Sequence, residues 1–316
     1  MRGRARLVPV LVLAVAAAWT GSAEAKPRLA GVFDLTGTPG QITRGPDNNI
    51  WVTISGSGDN NTLARIRPNG NVTEYAPAEL VNPVGIGRGP DGNIWCTRNG
   101  GVVRVDPDNP EGAEAFDIAA IGDPRRIIGG PQGKMWTASN DQLVSFLPDD
   151  PLDFDDETID GMGARGIATS GGKLWIADFG GQRIIRAHPN GTVAKAYDVG
   201  GGPQWVTKGP KDGAVYANPG DDPQTIGRID PPKKPRETET PNHDPFGITK
   251  AADGNWWVAN FAKDNLTILT RQGKDRRFRK LPDGSGPRYI AAGPDKTLWV
   301  SLEGSNQVAR VKGVKR

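Results

Sequence analysis

Three arginines hold equivalent places in a repeated phrase of this chain: Arg125, Arg165 and Arg288 each lie one residue into the segment that opens a repeat. A guanidinium stays cationic at neutral pH and presents a planar fork of donors suited to carboxylate or phosphate. Reading the same place through every repeat gives Gly40, Val84, Arg125, Arg165, Gln204, Phe246 and Arg288, with following neighbours that include Gln41, Arg126, Trp205 and Tyr289. A second set falls just beyond an aromatic residue in its repeat and includes Arg98, Asp178, Asn218, Asn260 and Glu303. If the two sets converge, the chemistry is recognition of an anionic or amphipathic ligand, with charge from arginine and contact area from the rings. An equally open reading pairs the arginines with Asp178 and Glu303, so that they tie neighbouring repeats together. The oxygen-bearing residues Asp178, Asn218, Asn260 and Glu303 would alternatively suit a hard cation, Mg²⁺ or Ca²⁺.

Groups that titrate near neutral pH are scarce. The chain has two histidines: His188 adjoins the turn sequence Pro189-Asn190-Gly191, and His243 precedes Asp244-Pro245 in a loop. A loop histidine is more often solvated than catalytic. Cys96 is the only cysteine, so no internal disulfide can form, and its place after Trp95 in an apolar run reads as a small core residue.

These side chains need a scaffold that brings distant segments to one place, and the spacing of aromatic residues supplies it. Trp51, Trp95, Trp136, Trp175, Tyr216, Trp257 and Trp299 recur every 39–44 residues. Around them runs a common sentence, shown in the first repeat by Pro39-Gly40-Gln41-Ile42, Gly45-Pro46-Asp47, Ile50-Trp51, Leu63-Ala64-Arg65-Ile66, Pro68-Asn69-Gly70 and Val72-Thr73-Glu74-Tyr75. Gly, Pro and Asn supply the tight reversals, and the β-branched runs between them are strands. A period of about 40–45 residues with this content predicts an all-β, seven-bladed β-propeller. The strand-like Gly31-Val32-Phe33-Asp34-Leu35 precedes the first repeat, while the last ends at Val308-Ala309-Arg310-Val311 without a fourth strand. Pairing the two completes the last blade and hides an open edge. In a propeller the inner strand of every blade lines a central channel, so both residue sets face one mouth.

The remaining segments read as turns or processing signals. Asp149 to Asp160 carries seven acidic residues, but lacks the spacing of a calcium loop and reads as a solvated turn on the outer hairpin of blade 3. Pro231 to Pro241 reads as an elongated hairpin of blade 5. Residues 1–25 form a secretory leader: Arg2, Arg4 and Arg6, an apolar stretch from Leu7 to Ala18, and the cleavage signal Ala23-Glu24-Ala25. The mature chain, residues 26–316, is expected to be a single secreted, monomeric domain without a membrane span. Without the leader it holds 36 basic and 35 acidic residues, which gives no electrostatic case for nucleic acid or an anionic membrane.

The phrases Pro83-Val84-Gly85-Ile86, Gly89-Pro90-Asp91-Gly92-Asn93-Ile94-Trp95 and Ile226-Gly227-Arg228-Ile229 resemble the repeat of the virginiamycin B lyase, or streptogramin lyase, family. The likeness runs over essentially the whole mature chain. It implies a seven-bladed propeller and an enzyme that opens a cyclic depsipeptide by Mg²⁺-assisted elimination of its ester. The family uses two histidines, one after the repeat-opening proline in each of the last two blades, and two glutamates in the final blade. Here the histidine positions are Phe246 and Arg288, one glutamate position is Gly286, and only Glu303 matches. Elimination needs a base near neutral pKa, which arginine cannot be. The leading expectation is therefore a propeller that binds a small or peptidic ligand through Arg98, Arg125, Arg165, Trp205, Phe246, Arg288 and Tyr289. Two rivals stand beside it. One is an enzyme, either a diverged lyase with Glu303 as its catalytic carboxylate or a lactonase-like hydrolase whose metal sits on Asp178, Asn218, Asn260 and Glu303. The other is an interaction scaffold that uses the ring surface.

Overall fold

The structure, a computed structural model, describes residues 26–57, 62–122, 124–220, 223–240, 243–271, 274–278 and 281–314. The leader lies outside the described residues. Seven four-stranded antiparallel sheets follow one another along the chain. Blade 1 is Thr38–Arg44, Ile50–Ser55, Leu63–Ile66 and Val72–Tyr75. The inner strands of blades 2 to 7 are Ile86–Arg88, Pro124–Gly129, Ala164–Ser170, Trp205–Lys208, Pro245–Lys250 and Pro287–Ala292. Arg28–Asp34 pairs antiparallel with Gln307–Lys312 and supplies the outer strand of blade 7. The ring is closed by its two ends, as the unpaired last repeat requires.

All seven anchor aromatics lie on the second strand of their blade and are buried. The six tryptophans pack onto the next blade, whereas Tyr216 of blade 5 faces back onto Trp175, Ala177 and Ile184 of blade 4, and the core divides into one apolar cluster per blade interface. Trp51 packs with Ile86, Ile94, Cys96 and Val103 of blade 2; Trp299 closes the ring against Ile42, Ile50, Val52 and Ile66 of blade 1. A side chain of this size buries roughly 150–250 Å², and no blade can cover its own faces alone. The turn phrase also serves the anchor: the Asp47 carboxylate accepts a hydrogen bond from Trp51 Nε1 at 3.0 Å, and Asp253 accepts one from Trp257 at 3.1 Å.

The Arg of the Ile-x-Arg-Ile strand has a matching structural task. Arg65 lies over Trp51 and Tyr75, 5.6 and 5.4 Å from their ring centroids, and donates to the Pro107 carbonyl of blade 2 at 2.9 Å. Arg104 repeats this with Trp95, Phe116 and the Pro148 carbonyl, and Arg310 with Trp299, Phe33 and the Pro68 carbonyl. Each contact joins cation–π attraction to a hydrogen bond across a blade interface.

One smaller reading needs adjustment. Most of the acidic stretch of blade 3 is the outer strand Asp150–Thr158, with only Pro148 and Asp149 in the turn. Asp150, Asp153, Asp155, Asp156 and Glu157 are all exposed on this outermost strand, so their charge is compatible with it. The Pro-rich stretch of blade 5 is a hairpin that leads into Arg236–Glu239. No helix among the described residues is long and apolar enough to cross a membrane.

Candidate functional site

A backbone irregularity recurs where the channel-facing residues lie. The register between the first two strands shifts between Pro39 and Ile42, Pro124 and Arg126, Ala164 and Gly166, Pro245 and Ile248, and Pro287 and Ile290. An extra residue in one strand bends it and re-aims its side chains. The arginines Arg125, Arg165 and Arg288 all sit in such bulges. In blades 2 and 5 the equivalent residues, Val84 and Gln204, precede the inner strand.

Val84, Arg125, Arg165, Gln204, Phe246 and Arg288 line one cavity at the channel mouth together with Gln41, Trp205 and Tyr289. Its volume is about 90 Å³. Six of the seven residues expected to bind ligand are thus brought together or lie in its wall. Arg98 is the exception. It pairs with Asp117 of its own blade and donates to the Asn99 carbonyl at 3.3 Å, which spends its forked donors away from the cavity.

The cavity has a floor, and alternation of residue size builds it. The second position of the phrase is Gln41, Arg126, Trp205 and Tyr289 in odd blades but Gly85, Gly166 and Gly247 in even ones. A Cβ on Gly85 would lie 2.9 Å from Arg126 Cα, one on Gly166 3.2 Å from Trp205 Cα, and one on Gly247 2.8 Å from Tyr289 Cα. The glycines let the next inner strand approach, and the large side chains then reach across the channel. Gln41 Nε2 donates to the Arg125 carbonyl. The Arg126 guanidinium lies 4.2 Å from the Trp205 ring centroid, and Trp205 meets Tyr289 at 5.3 Å. Burial pushes the Arg126 pKa down to about 10, which leaves it charged at neutral pH. The arrangement makes a cup, not an open pore.

Electrostatics in the wall centre on Arg288. Its guanidinium lies 4.3 Å from the Phe246 ring centroid and 5.8 Å from that of Phe261, and it donates to Glu303 Oε2 at 2.9 Å. Burial alone would lower its pKa, but Tyr289 and Glu303 outweigh that and hold it above the ordinary arginine value. Burial raises the Tyr289 pKa, opposed by Arg288, so the phenol keeps its proton. Asp244, in the loop leading to Phe246, is also raised by burial, again opposed by Arg288. Two arginine roles weighed from the sequence coexist here: Arg288 pairs with Glu303 and also lines the cavity.

The oxygen-bearing set is dispersed into local contacts. Asp178 is fully buried and accepts from the Gly163 and Gly181 amides and from Arg183 Nε at 2.6 Å. Asn218 donates to the Gly200 carbonyl, and Asn260 to Asn265 and Thr267. Among the described residues their Oδ1 atoms have no hydrogen-bond partner, and their hydrogen bonds run to Gly200, Asn265 and Thr267, not to Asp178 or Glu303. Among the described residues no three His, Cys, Asp or Glu side chains gather as a metal group. At the family's catalytic positions a dication would meet an aromatic ring at Phe246 and a guanidinium at Arg288, and Glu303 is already bound to that guanidinium. This donor set does not fit Mg²⁺. His243 Nε2 accepts from Arg277 Nε at 3.3 Å, and His188 contacts Lys173 on the outer part of blade 4; neither lines the cavity.

Comparison with known proteins agrees with this architecture. The family model described as the virginiamycin B lyase family matches residues 156–314, half of the chain. A streptogramin B lyase structure superposes with a TM-score of 0.79 at 18% identity, covering 90% of this chain and 97% of that one. Virginiamycin B lyase from Staphylococcus aureus gives 0.78 at 20% identity, covering 90% and 99%. The WD40 propeller of Doa1 gives 0.73 at 10% identity, covering 91% and 97%, so the likeness of ring shape extends well beyond lyases. No curated protein matches the sequence.

Proposed function

The chain belongs to the virginiamycin B lyase family, and from that premise we propose that it binds a small or peptidic ligand at the channel mouth and lacks the family's elimination chemistry. The observation that carries this reading is the state of Arg288: it stands at a family histidine position, stacks on the residue at the other, and holds the one matching glutamate in an ion pair. A permanently protonated group cannot take a proton from carbon. It can hold an anion beside an aromatic face. Arg125 and Arg165 add positive charge to the same wall, while Phe246, Trp205 and Tyr289 add apolar contact.

The leader sequence supports export, so the ligand is met outside the cytoplasm, and the seven interlocked interfaces support one monomeric domain. Exposed large hydrophobics among the described residues are Val81, Leu147, Leu152 and Val193. Only two of them share a hairpin, which offers little for a scaffold surface. The test is calorimetric titration of the wild type and Arg288→Ala against peptides and small organic acids. Arg288→Ala should weaken binding by about tenfold or more, on the order of 1.4 kcal/mol, with Mg²⁺ and chelator making no difference. Equal binding by both proteins would contradict the proposal.

A further inference from the structure

The channel has a second end, and its rim is cationic. Neighbouring inner strands touch all the way round the ring and begin at the mouth, so their last residues meet on the opposite face. Four of the seven end on a base: Arg44, Arg88, Lys208 and Lys250. Each pairs across its hairpin at the same rung, with Ile50, Ile94, Ala214 and Trp256 respectively. The other three blades place Gly129, Thr169 and Ala292 at that rung, so no acid interrupts the ring. Arg44, Arg88 and Lys208 are exposed, and none of them is in an ion pair among the described residues. Lys250 lies over Trp256, 5.3 Å from its ring centroid. The acids next in sequence are engaged in the turns. Asp47, Asp91 and Asp253 accept hydrogen bonds from the indoles of Trp51, Trp95 and Trp257 and from Asn49, Asn93 and Asn255. Asp212 and Asp295 are exposed in the turns of blades 5 and 7, each beside a lysine, Lys211 and Lys296. Like charges gathered on one rim raise its potential and draw an anion.

Where Gly129 and Thr169 replace the long cations, the rim is concave. A cavity of about 320 Å³ opens there, lined by Gly129, Gly130, Thr169 and the Gly171-Gly172 turn, with Lys208 at its side and no acidic side chain in its lining. Asp212 borders it beside Gly171. We propose that this exit rim docks an acidic peptide segment of a partner protein, whose carboxylates meet Arg44, Arg88 and Lys208 and one of whose side chains sits in the cavity beside Lys208. Single cations on separate blades suit carboxylates spread along a chain, whereas a phosphate is best held by donors that converge on it. A flat polyanion, such as a membrane or a duplex, would also press on Asp106, Asp108, Asp149 and Asp150, which are exposed in the outer turns of blades 2 and 3 on the same face. Such like-charge contact is costly, and a peptide confined to the centre avoids it. The floor of Gln41, Arg126, Trp205 and Tyr289 separates this rim from the mouth, so the two ends are distinct sites.

The test is calorimetric titration of the wild-type protein with a hexapeptide of glutamate and one of glutamine, both acetylated and amidated so that neither brings a terminal charge. At low ionic strength the glutamate peptide should bind more tightly by about tenfold or more, and salt at about 150 mM should remove most of that difference. Arg88→Ser combined with Lys208→Ser should weaken it by about fivefold or more, the loss of two exposed pairs. Lys233→Ser combined with Lys234→Ser takes the same charge from exposed positions in the outer hairpin of blade 5 and should leave binding unchanged. Equal weakening by both double variants would mean that net charge alone is at work, and would overturn the proposal. Equal binding of the two peptides by the wild type would overturn it whether or not any variant folds. Binding lost in Arg288→Ala but kept in the rim variant would place the peptide at the mouth. Tripolyphosphate or phosphatidylserine vesicles held more tightly than the peptide would make the occupant a different anion. Either of these results also contradicts the proposal.

Discussion

At Arg288 one guanidinium meets an aromatic face, a carboxylate and an open cavity, and the balance among them decides what the mouth can do. The pair with Glu303 is part-exposed, so its worth to stability is small; its consequence is chemical, because it occupies the one acid that matches the family's set. Asp244 reports on the same environment through pH. Its folded pKa lies above the ordinary aspartate value because of burial. Between those two values the native state holds more protons than the unfolded chain, so this group lowers stability as pH rises through the window. Asp244→Asn should therefore gain stability relative to wild type at pH 7 and gain less at pH 3.5. Chemical denaturation at the two pH values checks this, and an equal difference at both would contradict it. Which arginine pairs with which acid was not legible in the sequence. Arg98 and Arg288 belong to the two sets expected at one mouth, yet cross-strand geometry sends Arg98 to Asp117 and leaves Arg288 lining the cavity.

At the scale of the elements, the strand phrase itself carries the site. The proline-opened segment bulges against its neighbour, and the residue after the proline turns toward the channel. Even blades then use glycine where odd blades use a large side chain. Gly247→Ala tests this interleaving: its Cβ would lie 2.6 Å from the Arg288 carbonyl oxygen and 2.8 Å from Tyr289 Cα. Backbone in the next strand cannot yield as a side-chain tip would, so a loss of about 1–3 kcal/mol is expected, read as a lower denaturation midpoint. An unchanged midpoint would show that the inner strands are not in close contact. The alternation of Gly85, Gly166 and Gly247 with Gln41, Arg126, Trp205 and Tyr289 was present in the sequence. It has meaning only once the neighbouring inner strand is known to lie within contact distance. The blades were legible because the aromatic spacing, six Trp and one Tyr, is a local signal repeated seven times; the bulges were not, because register is a property of two strands.

For the molecule as a whole, closure by Arg28–Asp34 against Gln307–Lys312 makes the ring mechanically continuous, with Trp299 and Phe33 stacked at 5.5 Å across the join. Cys96 lies in the interface between blades 1 and 2, fully buried, and burial raises its pKa far above the ordinary thiol value. If the blades open only together, the thiol should label no faster than global unfolding, and labelling in mild denaturant should follow the loss of tryptophan signal. Labelling at a rate independent of denaturant would mean that this interface opens alone. The same rigid ring holds the mouth residues in place, and it persists at 18–20% identity to the lyases because interface packing tolerates changes at the rim. The most direct measurement incubates the mature protein with a streptogramin B depsipeptide and Mg²⁺ and follows the ring by chromatography and mass. The arginine-filled mouth predicts an intact cyclic depsipeptide after prolonged incubation. A linear product of unchanged mass would show elimination proceeding without the two histidines, and would contradict the account.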